Sequence, residues 1–111
     1  MLAEATAAVE RFHPGVRVAA FGHLGDGNIH YDVIMPAGAD AKAFSARREE
    51  GSRIVHDIVA RHEGSISAEH GLGRAKTAGA LRYKSPVEVE AMRAIRKALD
   101  PGRIMNPGVL F

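Results

Sequence analysis

The sequence predicts an α+β fold in which an antiparallel hairpin packs its apolar side on helices, and three observations carry that expectation. Residues from Val16 to Leu24 and from Ile29 to Met35 alternate in polarity, the pattern of strands half-buried in a sheet. Between them stands Gly25-Asp26-Gly27-Asn28, and an Asp-Gly step flanked by alternating runs signals a two-residue hairpin turn. Helical stripes flank the hairpin: Leu2, Ala5, Val9 and Phe12 before it, and Phe44, Gly51, Ile54, Val55, Ile58 and Val59 after it. Their spacing is that of helices covering a core.

The first helix ends at His13-Pro14-Gly15 and the second strand closes at Pro36-Ala37-Gly38, both stop signals. A long helix is then expected from about Asp40 to His62, with Gly64 as its C-terminal cap. Residues 65 to 68 suit one more short strand. Glu69-His70-Gly71-Leu72-Gly73 reads as a tight turn into a helix from about Arg74 to Tyr83. Ser85-Pro86-Val87-Glu88 is a capping box with proline at the first helical position. It starts a helix whose core stripe is Val89, Met92, Ile95 and Leu99. Asp100-Pro101-Gly102 stops that helix, and Ile104 to Phe111 is expected to form an apolar extended tail.

The first five elements thus run helix, strand, strand, helix, strand. A ferredoxin-like unit runs strand, helix, strand, strand, helix, strand, so the expectation is an incomplete ferredoxin-like unit, an antiparallel sheet with helices on one face, followed by C-terminal helices and a tail. The missing first strand would be central. Its absence predicts an exposed sheet edge, through which a homo-oligomer can form.

Composition narrows the function classes. Fifteen basic against 13 acidic residues leave a formal charge of +2, too small an excess to steer the chain onto nucleic acid or an anionic membrane. Arg47, Arg48 and Arg53 cluster, but Glu49 and Glu50 stand among them, as on a solvated helix face. There is no cysteine, hence no disulfide framework and no thiol chemistry. No apolar run approaches the ~20 residues of a transmembrane helix, and a soluble, cytoplasmic protein is expected. Neither glycine-rich segment completes a dinucleotide fingerprint. His30 takes the third glycine position after Gly25 and Gly27, and Lys76 takes it after Gly71 and Gly73. His62-Glu63 does not open a metalloprotease helix, because position 66 is isoleucine. His13, His56 and His62 read as structural.

A turn at Asp26-Gly27 makes cross-strand partners of residues whose numbers sum to 53, which sets His23 opposite His30, with Cβ atoms ~4.5–5.5 Å apart. Val18, Ala20, Gly22, Leu24, Ile29, Tyr31, Val33 and Met35 would share the core face. Arg17, Ala19, Phe21, His23, His30, Asp32 and Ile34 would share the other. Two neutral imidazoles so placed suit a divalent transition metal such as zinc. Glu69, at the strand-to-helix turn, is the best third ligand. Two histidines and a carboxylate with one open position form a catalytic pattern. His70, pointing away from Glu69 along an extended segment, would face a substrate. The same residues read equally as a polar cross-strand contact and a solvated turn.

Three segments then tip the balance. Gly22-His23-Leu24-Gly25-Asp26-Gly27-Asn28-Ile29-His30, Ser67-Ala68-Glu69-His70-Gly71-Leu72-Gly73 and Leu99-Asp100-Pro101-Gly102-Arg103-Ile104-Met105-Asn106-Pro107-Gly108 resemble, in order and spacing, the signatures of the C-terminal region of FAD-linked oxidases in the vanillyl-alcohol oxidase superfamily. The branch they resemble most is that of D-lactate, D-2-hydroxyglutarate and glycolate dehydrogenases. The resemblance implies FAD and, as in several members, a divalent metal such as zinc, with His23, His30 and Glu69 as metal ligands, His70 as catalytic base and Asn28 on the substrate or metal side. It implies residues 1–111 as the C-terminal region of such an enzyme, working with a flavin-binding domain or subunit on a small 2-hydroxy acid. Val109 departs from the lysine that often follows the closing signature, which bears on docking of the tail rather than on chemistry. Two other classes remain open on the residues alone: a metal-dependent hydrolase using the same triad, and a non-catalytic assembly module docking through its apolar tail.

With no phosphate-binding loop in its sequence, the chain by itself is expected to bind no FAD and to have no dehydrogenase activity. Titration with FAD under flavin fluorescence checks this, and saturable micromolar binding overturns it.

Overall fold

The computed structural model describes residues 1–67 and 69–109 and divides into two compact units, Met1–Ser65 and Ile66–Phe111. The architecture is α+β. Among the described residues it holds one two-stranded antiparallel sheet and five α-helices.

The first unit opens with α1, Leu2–Phe12, which stops at His13 where Pro14 and Gly15 follow. Strands β1, Arg17–His23, and β2, Asn28–Ile34, come next, then α2, Ala41–Ala46, and α3, Arg48–Arg61. The core of this unit is small: Ala5 and Val9 of α1, Val16 before β1 and Ile58 of α3 are buried. Helix α1 packs along α3 and touches β1. The helices come close where Gly51 lies under Phe12, since a Cβ there would stand 3.5 Å from the ring.

The expected continuous helix from Asp40 to His62 is broken at Arg47. Asp40 caps α2 by accepting from the backbone N–H groups of Lys42 and Ala43 at 2.8 and 3.3 Å. The break lets α2 fold back onto the end of α1. Phe44 lies against the His13 ring at 4.8 Å, and the Arg47 guanidinium lies 4.0 Å above the Phe12 ring while donating to the Phe12 carbonyl. The cap of α3 also differs from expectation by one residue. Glu63, with φ of 55°, takes the left-handed position, and the N–H groups of Glu63 and Gly64 return to the carbonyls of Ala60 and Val59, a Schellman ending.

The hairpin register corrects the sequence expectation. His23 pairs with Asn28 and Phe21 with His30, so partner numbers sum to 51 and the loop has four residues. Leu24–Asp26 form a 3₁₀ turn closed by Gly27, whose N–H donates to the Leu24 carbonyl and whose φ is 64°. A two-residue type I′ turn needs positive φ at both central residues, and Asp26 does not adopt it. Leu24 therefore leaves the core face and is 96% exposed. Gly22 makes the register feasible. A Cβ there would lie 2.3 Å from the Asn28 carbonyl oxygen and 3.0 Å from Ile29 Cα.

The expected third strand does not form over residues 65–67; Ala68 lies outside the described residues. Polar groups there are taken by side-chain contacts instead of a ladder: Ser67 Oγ donates to the Gly71 carbonyl and Lys76 Nζ to the Ile66 carbonyl. The ferredoxin-like expectation thus reduces, among the described residues, to one helix-flanked hairpin.

In the second unit α4 spans Thr77–Tyr83 and α5 spans Pro86–Leu99. Helix α4 begins later than Arg74, because Gly71 and Gly73 both hold left-handed φ, 65° and 55°, and the chain turns until Lys76. Helix α5 carries the expected capping box of Ser85 and Glu88 behind Pro86. The Glu88 carboxyl is held below its usual range by the Ser85 backbone N–H, then by Lys84 and the Ser85 hydroxyl. The expected core stripe of α5 is only half right. Val89 is buried, whereas Ile95 and Leu99 are 61% and 73% exposed.

The tail is not extended. Asp100, 5% exposed, accepts from the N–H groups of Ile104 and Met105, both at 3.0 Å. Arg96 donates to the carbonyls of Met105, Asn106 and Val109. Its guanidinium gathers carbonyls that no helix or strand satisfies, and the chain turns with positive φ at Arg103, Asn106 and Gly108. Leu110 and Phe111 lie outside the described residues.

Two outcomes follow from these contacts. Glu4 of α1 receives Arg61 and, at 2.8 Å, His62 at the end of α3. The His62 and Arg61 hydrogen bonds lower its pKa from 4.5 to about 2. A depressed carboxylate pKa contributes stability above the unfolded value, here 4.5, that is lost as pH falls through about 2. Urea midpoints of the wild type and Glu4→Gln should therefore differ at pH 5 and converge by pH 2; a pH-independent difference contradicts the clasp. Gly22→Ala should lower unfolding free energy by about 1–3 kcal/mol through overpacking and weaken cross-strand contacts between the two strands, read by denaturant melts and backbone NMR.

Candidate functional site

Strand alternation places Phe21, His23, Asn28 and His30 on one face of the hairpin. The neighbouring Tyr31 belongs to the opposite face, where its hydroxyl donates to Thr6 Oγ1 of α1 at 3.3 Å. The two histidines thus stand on the side away from α1, as expected, but as diagonal neighbours and not as a direct pair. Their ring centroids are 5.9 Å apart with planes inclined at 56°, and each offers a ring nitrogen within 4.8 Å of the other's. Zinc holds imidazole nitrogens at about 2.0–2.1 Å, which in a tetrahedral site separates them by roughly 3.4 Å.

His23 is exposed while Asn28 and His30 are half-buried. Asn28, directly opposite His23, brings a carboxamide with both donor and acceptor to this face. Phe21, counted among the face residues in the sequence but given no role, lies flat on His30, with centroids 5.1 Å apart and planes at 17°. Its position beside the histidines was legible from alternation; its stacking depends on the register.

Glu69 and His70 lie in the second unit, in the bent segment before Gly71. The expectation that their side chains diverge fails. Glu69 Oε2 and His70 Nε2 are 3.4 Å apart, because the segment bends where an extended one would send neighbours to opposite sides. Ser67 Oγ, donating to the Gly71 carbonyl, closes this bend. The His70 side chain is 80% exposed. Glu69 brings an acceptor-only carboxylate, suited to a hard or borderline cation, and His70 an imidazole suited to proton transfer. Two other histidines serve the fold: His13 sits between the Phe12 and Phe44 rings and His62 meets Glu4.

Among the described residues no helix is long and apolar enough to cross a membrane. A family model described as FAD linked oxidases, C-terminal domain, matches residues 1–110. The chain is 38% identical over 110 residues to a D-2-hydroxyglutarate dehydrogenase of Stutzerimonas stutzeri, covering 99% of the chain and 24% of that protein. It is 38% identical over 110 residues to a D-2-hydroxyglutarate dehydrogenase of Xanthomonas citri, covering 99% and 23%. To a putative mitochondrial D-lactate dehydrogenase of Schizosaccharomyces pombe it is 38% identical over 96 residues, covering 86% and 17%. The chain spans about a quarter or less of the length of these curated relatives. Matched from end to end by the family model, and carrying its paired histidines on one face of the hairpin, the chain belongs to the C-terminal domain family of FAD-linked oxidases.

Proposed function

We propose that the chain supplies the substrate-side residues of an FAD-dependent dehydrogenase that oxidises a small 2-hydroxy acid, of the D-2-hydroxyglutarate, D-lactate or glycolate kind, to the 2-oxo acid. The observation that carries the reading is the His23–His30 pair on one hairpin face within a full-length family match. The names of the relatives, D-2-hydroxyglutarate and D-lactate dehydrogenases, support the substrate class.

His23, His30 and Glu69 are the proposed ligands of a divalent cation, zinc being the one their donor set favours. Two imidazoles and one carboxylate are a donor set that fits such an ion. Such a cation would supply Lewis acidity toward the substrate oxygens. FAD would serve as the hydride acceptor. The chain's own contributions are binding and proton transfer. Asn28 hydrogen-bonds a substrate oxygen beside His23. An imidazole nitrogen of His70 takes the hydroxyl proton as the carbon-bound hydrogen leaves as hydride, so one C–H and one O–H bond are exchanged for a second C–O bond. Histidine suits this because its reference pKa of about 6.5 lies near working pH.

In the complete flavoenzyme, His70→Ala should lower turnover roughly 10²–10⁴-fold, the range for a lost positioned base, with metal content retained. His23→Ala or His30→Ala should lose metal and activity together. Turnover and metal analysis on all three variants provide the check. A His70→Ala enzyme that loses metal, or keeps full turnover, overturns the division of roles between Glu69 and His70.

A further inference from the structure

We propose that Phe21 is a positioning residue for the histidine pair, its ring setting the plane of the His30 imidazole and so the direction in which the ring nitrogens of His30 point. The inference rests on the reading of His23 and His30 as metal ligands. A ligating lone pair lies in the plane of the imidazole, so the ring plane decides whether the lone pairs of two histidines converge. The χ2 torsion that turns this plane is a broad, soft rotation in histidine. A flat neighbour in contact removes much of that freedom, and Phe21 is such a neighbour. It stands directly across the strands from His30, 5.1 Å centroid to centroid and within 17° of parallel.

Packing does not account for this aromatic. Phe21 is 58% exposed and projects from the face opposite the one on which Tyr31 meets α1. The next cross-strand pair on its face, Ala19 and Asp32, gives it no large apolar partner. Its flat side is turned to an imidazole instead. There it also presents π density to a ring that would lose electrons to a bound cation, an added attraction in the liganded state. Leucine would keep the apolar volume but neither the flat surface nor the π face. Tyrosine would keep both.

The test uses the full chain with Co²⁺ as probe, whose visible absorption reports coordination, and NMR of the imidazole protons at fixed pH. In the wild type the His30 ring protons should be shifted upfield relative to those of His23 by the Phe21 ring current. Phe21→Leu should erase that shift and weaken Co²⁺ binding roughly three- to tenfold, the worth of an aromatic contact, with an unchanged circular dichroism melt. Phe21→Tyr should restore both. Equal Co²⁺ affinity in Phe21→Leu and wild type overturns the proposal, as does a weakening that Phe21→Tyr fails to restore. If Phe21→Leu fails to fold, absence of an upfield His30 shift in the wild type overturns it, and its presence together with wild-type Co²⁺ affinity in Phe21→Tyr upholds it. A wild-type chain that takes up no Co²⁺ overturns the ligand reading itself and, with it, the metal role of Phe21. That outcome is distinct from one in which only the leucine variant behaves like the wild type.

Discussion

The close approach of the Asn28 carbonyl to the Gly22 backbone is the contact on which the candidate site depends. At a separation where a Cβ would lie 2.3 Å from the carbonyl oxygen, only glycine lets the two strands meet, and the hairpin closes through a four-residue loop ending in left-handed Gly27. From that register comes each spacing on the face: His23 against Asn28, His30 against Phe21, and the imidazoles diagonal to one another. A shift by one residue would have sent His30 to the side of Thr6 and α1. A shift by two keeps both histidines on one face but changes their partners, which is the difference between a direct histidine pair and a pair flanked by an aromatic and a carboxamide.

The hairpin is held by very little apolar mass. Ala5, Val9, Val16 and Ile58 form the buried part of the first unit, and the helices over them are drawn together at their ends by polar contacts, with Glu4 taking both Arg61 and His62. Small residues make this workable, since Gly51 allows Phe12 to lie close along α3. The second unit solves its own problem differently. Its residues 101–109 lie in neither helix nor strand, and Arg96 and the buried Asp100 satisfy backbone groups there from the end of α5, one donating to carbonyls and the other accepting from N–H groups. A charged pair is thereby spent on shaping a turn, because each ion finds several hydrogen-bond partners in place of water.

Chemically, the residues divide as the proposed reaction divides. His23 and His30, the proposed cation ligands, sit on or beside paired strands, which fix side-chain direction better than loops do. Glu69 and His70 sit on a bend closed by Ser67. The flat contact of Phe21 on His30 belongs with the strand-borne group, since both side chains are fixed by one cross-strand register.

The sequence by itself determined the two strands of the hairpin, the start of α5 at its capping box, the shared face of His23 and His30, and the three signatures that mark the family. These are local or periodic properties, and a periodic signal survives a register shift of two because side-chain direction repeats every two residues. Only the tertiary structure decided the features that hang on particular contacts and leave no repeating pattern in the sequence. The four-residue loop was set by Gly22 against Asn28, and the break at Arg47 by Phe12 and His13, more than thirty residues upstream. The curled tail was set by Arg96 and Asp100, and the bend at Glu69-His70 by Ser67 and Gly71. The exposure of Ile95 and Leu99, which read as core in the sequence, has the same origin. Periodicity says that a helix has an apolar face, and only packing says which part of that face finds a partner.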